Sequence, residues 1–152
     1  MKEIFRSYLF VFVTGIALLN SCVTGGDKVL VQTIDAESLE MIDKVDLLLL
    51  DYKISKDKNK IEEAEKLIGD LESRSLKNKA FEAKVLGLFG EMEYCKGQTI
   101  NLKSYVGGIE ARNKYEERLY ILKTYIVGDP VEKEKILLQG IEKADENLKL
   151  KL

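Results

Sequence analysis

A chain of 152 residues with no histidine, no tryptophan and a formal net charge of −2 is excluded at the outset from several kinds of chemistry. Without histidine it lacks the commonest general base and metal ligand, and with them most hydrolytic triads and zinc sites. A mildly acidic balance is also the opposite of a nucleic-acid binder's basic footprint, and a single proline among 33% charged residues favours long helices over many short strands.

The first 21 residues read as an export signal. Lys2 and Arg6 supply a positive start, and Tyr8 to Leu19 form an apolar run broken by Thr14 and Gly15, the layout of a secretory signal peptide. The run is shorter than the roughly 20 apolar residues of a transmembrane helix. It ends in Leu19-Asn20-Ser21-Cys22, which resembles a bacterial lipobox: an aliphatic residue three positions before a cysteine and a small residue directly before it. Asn20 departs from the small residue usual at its position. The resemblance implies that a lipoprotein signal peptidase cuts between Ser21 and Cys22 and that the Cys22 sulfur carries a diacylglycerol. The acylated Cys22 then anchors the chain in the cell envelope, at the outer membrane, on its periplasmic or surface side. Val23 is not the aspartate that implies inner-membrane retention in enterobacterial lipoproteins. Acyl chains contribute about 0.8 kcal/mol per buried methylene, so two or three chains hold where one does not.

Cleavage after Ser21 leaves 131 residues with 22 basic and 25 acidic side chains, enough for one domain. Cys95 is then the sole thiol not given to lipid, so no intramolecular disulfide is available. Residues 22–34 read as the lipidated N-terminus and a flexible tether. Gly25-Gly26 loosens its start, and the alternating Val29, Val31 and Thr33 have no partner strand in the pattern.

Residues 35–152 read as an all-α domain of about five antiparallel helices arranged as helical hairpins. Asp35 caps the first, where Leu39, Ile42, Val45, Leu49 and Tyr52 recur at helical steps; Met41, Leu47, Leu48 and Leu50 widen the stripe, which predicts burial on more than one side. Asp43, Lys44, Asp46 and Asp51 exclude it as a membrane span. After a polar turn over 55–58, Asn59 and Glu62 are expected to cap a second helix, whose face is Ile61, Ala64, Ile68 and Leu71. The third helix, about Leu76 to Lys96, is placed at the centre of the domain. Phe81, Val85, Leu88, Met92 and Cys95 form one face, and Ala80, Ala83, Gly87 and Gly90 another. Two glycines in a helix interior cost up to about 1 kcal/mol each, so the small-residue face predicts close approach of a neighbouring helix.

Gly97 ends that helix. A connection over 98–108 with one helical turn around Leu102 to Val106 is expected, broken by Gly107-Gly108. A fourth helix then runs from about Ile109 to Val127, with Tyr115, Leu119, Leu122 and Ile126 inward and Tyr120 and Tyr125 partly off that face. Gly128-Asp129-Pro130 punctuates the chain: glycine closes one helix, Asp129 caps the next and Pro130 occupies its first turn. Leu137, Ile141, Ala144 and Leu148 are the expected buried stripe of the last helix.

Ala83, Leu86 and Gly87 resemble the signature of the first helix of a tetratricopeptide repeat, and the Gly-Asp-Pro junction resembles the boundary between such repeats. Gly90 stands where that repeat has an aromatic residue, and helices one, three and five begin near residues 36, 77 and 130, not at the repeat's 34-residue period. The reading is a tetratricopeptide-like array or bundle.

Carboxylates are plentiful but sequence neighbours on a helix do not converge, and Cys95 sits on a core stripe as an inert thiol. No catalytic residue, metal or cofactor is expected beyond the lipid on Cys22. Tyrosines collect in the second half, and Tyr94, Tyr105, Tyr120 and Tyr125 mark a partner groove. The function expected is that of a membrane-anchored lipoprotein acting as a protein-binding or assembly module for a protein or peptide, not nucleic acid. The alternative is a surface-exposed lipoprotein that binds host or environmental molecules.

Overall fold

A computed structural model describes the backbone of residues 33–151 and the side chains as far as Ala144. The signal segment, Ser21, Cys22 and the tether to residue 32 lie outside the described residues, as does the side chain of Leu148. Six helices follow one another: α1 (Ala36–Ser55), α2 (Lys58–Ser75), α3 (Lys79–Cys95), α4 (Leu102–Arg112), α5 (Glu117–Ile126) and α6 (Pro130–Lys151). No strand forms among the described residues, and the domain is all-α, built of helical hairpins.

The starts of α1, α2, α3 and α6 are set by a short polar side chain, whereas those of α4 and α5 have no side-chain cap. Asp35 accepts the backbone N–H of Ser38 at 2.9 Å, and Asn78 accepts that of Phe81 at 3.0 Å, which satisfies donors the first turn would otherwise leave open. The cap of α2 is Asp57, which accepts the N–H of Asn59, in place of the expected Asn59; the helix starts two residues earlier because Asp57 itself leaves the turn extended. The third helix starts at Lys79, later than expected, because Asn78 takes the cap. Gly97 closes it at φ +76°. The N–H groups of Gly97 and Gln98 return to the carbonyls of Tyr94 and Glu93 at 3.0 and 2.8 Å, the paired bonds of a Schellman motif. Asp129 accepts the N–H of Val131, and Pro130 opens α6 as expected. Gly128 is not left-handed; α5 stops because Val127 turns extended.

The expected number of about five helices is six among the described residues. Residues 98–108 are not mainly a loop: Leu102 and Ile109, two turns apart on one face of α4, are fully buried, and that packing carries the helix through Gly107 and Gly108. The break falls instead at residues 113–116. There the Asn113 side chain accepts the N–H of Tyr115 and its carbonyl accepts that of Glu116, a local turn that competes with the helix. The expected single helix from Ile109 to Val127 is therefore two.

Helices α1, α3 and α5 lie side by side; α2 sits against α1 and α3, α4 against α3 and α5, and α6 against α5 alone. This neighbour pattern is that of successive hairpins. One apolar cluster joins α1, α2 and α3 through Val45, Leu49, Ile68, Leu71 and Leu88; another joins α3 to α4 and α5 through Ala83, Leu102, Ile109, Leu119 and Leu122. The central place expected for α3 follows from its membership of both.

The ends of the array depart from expectation. Leu47 and Leu50 of α1 are 64% and 47% exposed, because among the described residues α1 has neighbours on one side only. The stripe expected to bury α6 does not: Leu137, Ile141 and Ala144 are exposed, and the residues turned toward α5 are Lys133, Ile136, Gly140 and Lys143. Gly140 decides this rotation, since a Cβ there would meet the Tyr120 ring at 2.9 Å.

Candidate functional site

The small-residue face of α3 receives α5. A Cβ at Gly90 would lie 2.5 Å from a methyl carbon of Leu122, and one at Gly87 would lie 2.7–2.8 Å from the stem of Arg118. Close approach was expected from the two glycines; the identity of what crosses Gly87 was not. Arg118 passes over α3 at that glycine and reaches α1, where Nη2 donates to both carboxylate oxygens of Asp46 at 2.6 Å. Its side chain is 7% exposed.

Further charges surround it. Glu91 Oε2 stands 3.9 Å from Arg118 Nε, and Glu116 and Glu117 each place an oxygen 3.6 Å from Nη1. Lys84 Nζ sits 3.6 Å from both of those glutamates. Burial alone would lower the Arg118 pKa, but the Asp46 and Glu91 carboxylates more than reverse this and hold it protonated. Burial dominates at Glu91, which is pushed up despite Arg118. Because four carboxylates face two cations, one acid held toward its neutral form lessens the mutual repulsion.

Beyond this cluster, toward the C-terminal ends of α3 and α5, Tyr94 and Tyr125 stack with ring centroids 3.7 Å apart and planes 6° from parallel. Tyr94 is 40% exposed and Tyr125 half-buried. Burial, then the nearby Glu91, raises the Tyr125 phenol. Cys95 is raised by burial in spite of Lys53 and Lys56, so it is not an activated nucleophile. Beside the tyrosine pair lies an open depression of about 340 Å³ lined by Thr99, Ile100, Leu102, Lys103, Tyr125 and Ile126. Ile100 stands 89% exposed at its edge.

The four tyrosines expected to share a groove are not gathered in one. Tyr94 and Tyr125 meet. Tyr105 lies on the α4 side of α3, stacked on Phe89 and donating to Glu93 Oε1 at 3.0 Å; burial and that bond push it up to about 12. Tyr120 is a core residue, 8% exposed, whose hydroxyl donates to the Lys114 carbonyl. The expectation that it lay partly off the core face fails because α6 covers it. Conversely, sequence reasoning does not reach the Arg118–Asp46 bridge; the signal that points to Arg118 is its place one turn before Leu122, matching Gly87 and Gly90 one on one.

Among the described residues no group of three or more acidic or cysteine side chains is placed to hold a metal ion, and no helix is long and apolar enough to cross a membrane. Comparison with protein-family models, curated proteins and solved structures finds no match.

Proposed function

We propose that this chain is a lipid-anchored cell-envelope protein whose helical array binds a protein or peptide partner at the ends of α3 and α5. The observation that carries the reading is the Tyr94–Tyr125 stack beside the Ile100 depression. A partly exposed aromatic pair next to a shallow recess lined by both apolar and polar side chains is suited to receive one anchoring side chain, since aromatic groups offer large contact area at low entropic cost. A binding role is favoured over catalysis because the buried carboxylates are held by Arg118 and Lys84 instead of facing an open cleft. The anchor rests on the Leu19–Cys22 lipobox; acylation would raise the local concentration of a modest binder at the membrane.

The test has two arms in cells making the full chain. A photo-crosslinking phenylalanine analogue replacing Tyr94 should trap one partner, and Ile100→Asp should abolish the trapping while the chain still folds. Acyl labelling should be seen with the unmodified chain and vanish with Cys22→Ala. No specific adduct from position 94 would refute the binding face, and label retained by Cys22→Ala would refute the anchor.

A further inference from the structure

Among the described residues helix α6 has one neighbour, α5, and the side of it turned away from α5 carries a row of aliphatic side chains. Val131, Leu137, Leu138 and Ile141 are 72%, 47%, 55% and 60% exposed. Leu137, Ile141 and Ala144 follow one another at steps of four and three, the spacing of a helix-pairing seam. Exposed aliphatics in a row mark a contact surface more often than isolated ones do.

The charges along this seam say what covers it. Glu134-Lys135 precedes Leu138 and Glu142-Lys143 follows it, in the same order. If a second α6 runs antiparallel across a two-fold axis between Leu138 and Gln139, residue Lys135 of each copy meets Glu142 of the other. The same register places the two Leu138 side chains next to the axis. A parallel pairing would place like charge on like charge at each of these positions, which is unfavourable. Lys135, Glu134 and Glu142 are exposed and make no ion pair within the described chain, so they are available to a partner. A closed two-fold contact also uses the same patch on both copies, as an isologous interface requires.

We propose that α6 is a self-association surface, on which two copies of this chain pair through antiparallel α6 helices. The contact stands apart from the Tyr94–Tyr125 face and does not depend on the partner proposed for it. Four aliphatic side chains and a charged flank make a small interface, below the roughly 800 Å² per partner of stable complexes. The dimer is therefore weak in dilute solution and favoured where a membrane concentrates the chain.

The experiment uses the full chain in cells, with Leu138→Cys placed beside the axis and a mild oxidant. A reducible dimer is expected from Leu138→Cys and not from the unmodified chain or from Ile54→Cys, which is 78% exposed on α1. Adding Lys135→Glu should lower the dimer fraction several-fold, and Lys135→Glu with Glu142→Lys should restore it. Circular dichroism of each variant checks that the helices remain, since all the altered side chains are exposed. The proposal is overturned if Leu138→Cys gives no dimer, if it captures a different protein, if the charge swap fails to restore pairing, or if crosslinks form only between Leu138→Cys and Ile54→Cys chains.

Discussion

Replacing Arg118 with methionine keeps most of its apolar stem over Gly87 but leaves Glu91, Glu116 and Asp46 without their shared cation. Removing one partner of a buried pair strands the other, at a cost of about 3–5 kcal/mol; Asp46 is 41% exposed, which places the expected loss near about 3 kcal/mol by urea denaturation. A loss below about 1 kcal/mol would mean that the cluster is solvated. Glu91 supplies a test with a defined sign. Burial raises it above the usual value of 4.5, so the folded chain holds that proton more tightly than the unfolded one. Its contribution to stability is full below about pH 4.5 and is lost as pH rises through the folded value. In Glu91→Gln that loss is absent. The melting temperature of the wild type should therefore fall relative to Glu91→Gln as pH is raised from 4.5 to 7; a difference of the opposite slope would show that attraction to Arg118 outweighs burial.

At the scale of the helices, what could be read from the chain was the periodicity and the caps, and what could not was the direction each stripe faces. Asp35, Gly97 and Asp129-Pro130 punctuate by local chemistry, which acts within a turn and is visible in sequence. The Gly107-Gly108 pair misled because local propensity is overridden once Leu102 and Ile109 are buried on both sides of it. The stripe on α6 was real but lies beside the contact with α5, because the Tyr120 ring meets Gly140 and sets the rotation. The candidate site was half legible: the glycines predicted an approach, and nothing short of the fold could bring Arg118 to Asp46, 72 residues away. The α3–α5 approach makes a paired prediction. Gly87→Ala inserts a carbon 2.7–2.8 Å from Arg118 Cδ and Cβ, and Arg118 cannot swing aside while it grips Asp46. Overpacking of about 1–3 kcal/mol exceeds the helix-propensity gain of up to about 1 kcal/mol. Gly69→Ala on α2 meets nothing within 4 Å and should stabilise by about 0.5–1 kcal/mol. Equal effects of the two substitutions in denaturant titrations would remove the close-approach account of Gly87.

For the whole array, burial is uneven. The cluster shared by α1, α2 and α3 contains Ile42, Val45, Leu48, Leu49, Ile61, Ile68, Leu71, Phe81, Val85, Leu88 and Met92, whereas the cluster under α4, α5 and α6 is smaller and ends in a helix with one neighbour. In a stack of hairpins stability is close to a sum of local terms and neighbour contacts, so the second half opens at lower free energy than the first. Among the described residues, α3 and the Arg118–Asp46 bridge couple the two. Leu122→Ala removes a fully buried side chain packed over Gly90, at a cost of about 2–5 kcal/mol. In native-state hydrogen exchange, amides of α4 and α5 should lose protection by that amount, while those of α1 and α2 keep theirs. Leu88→Ala, in the cluster of the first half but on the shared helix, should lower both. Equal losses throughout the chain with Leu122→Ala would mean one cooperative unit, and the bridge from Arg118 to Asp46 would then bind the halves more tightly than their apolar cores divide them.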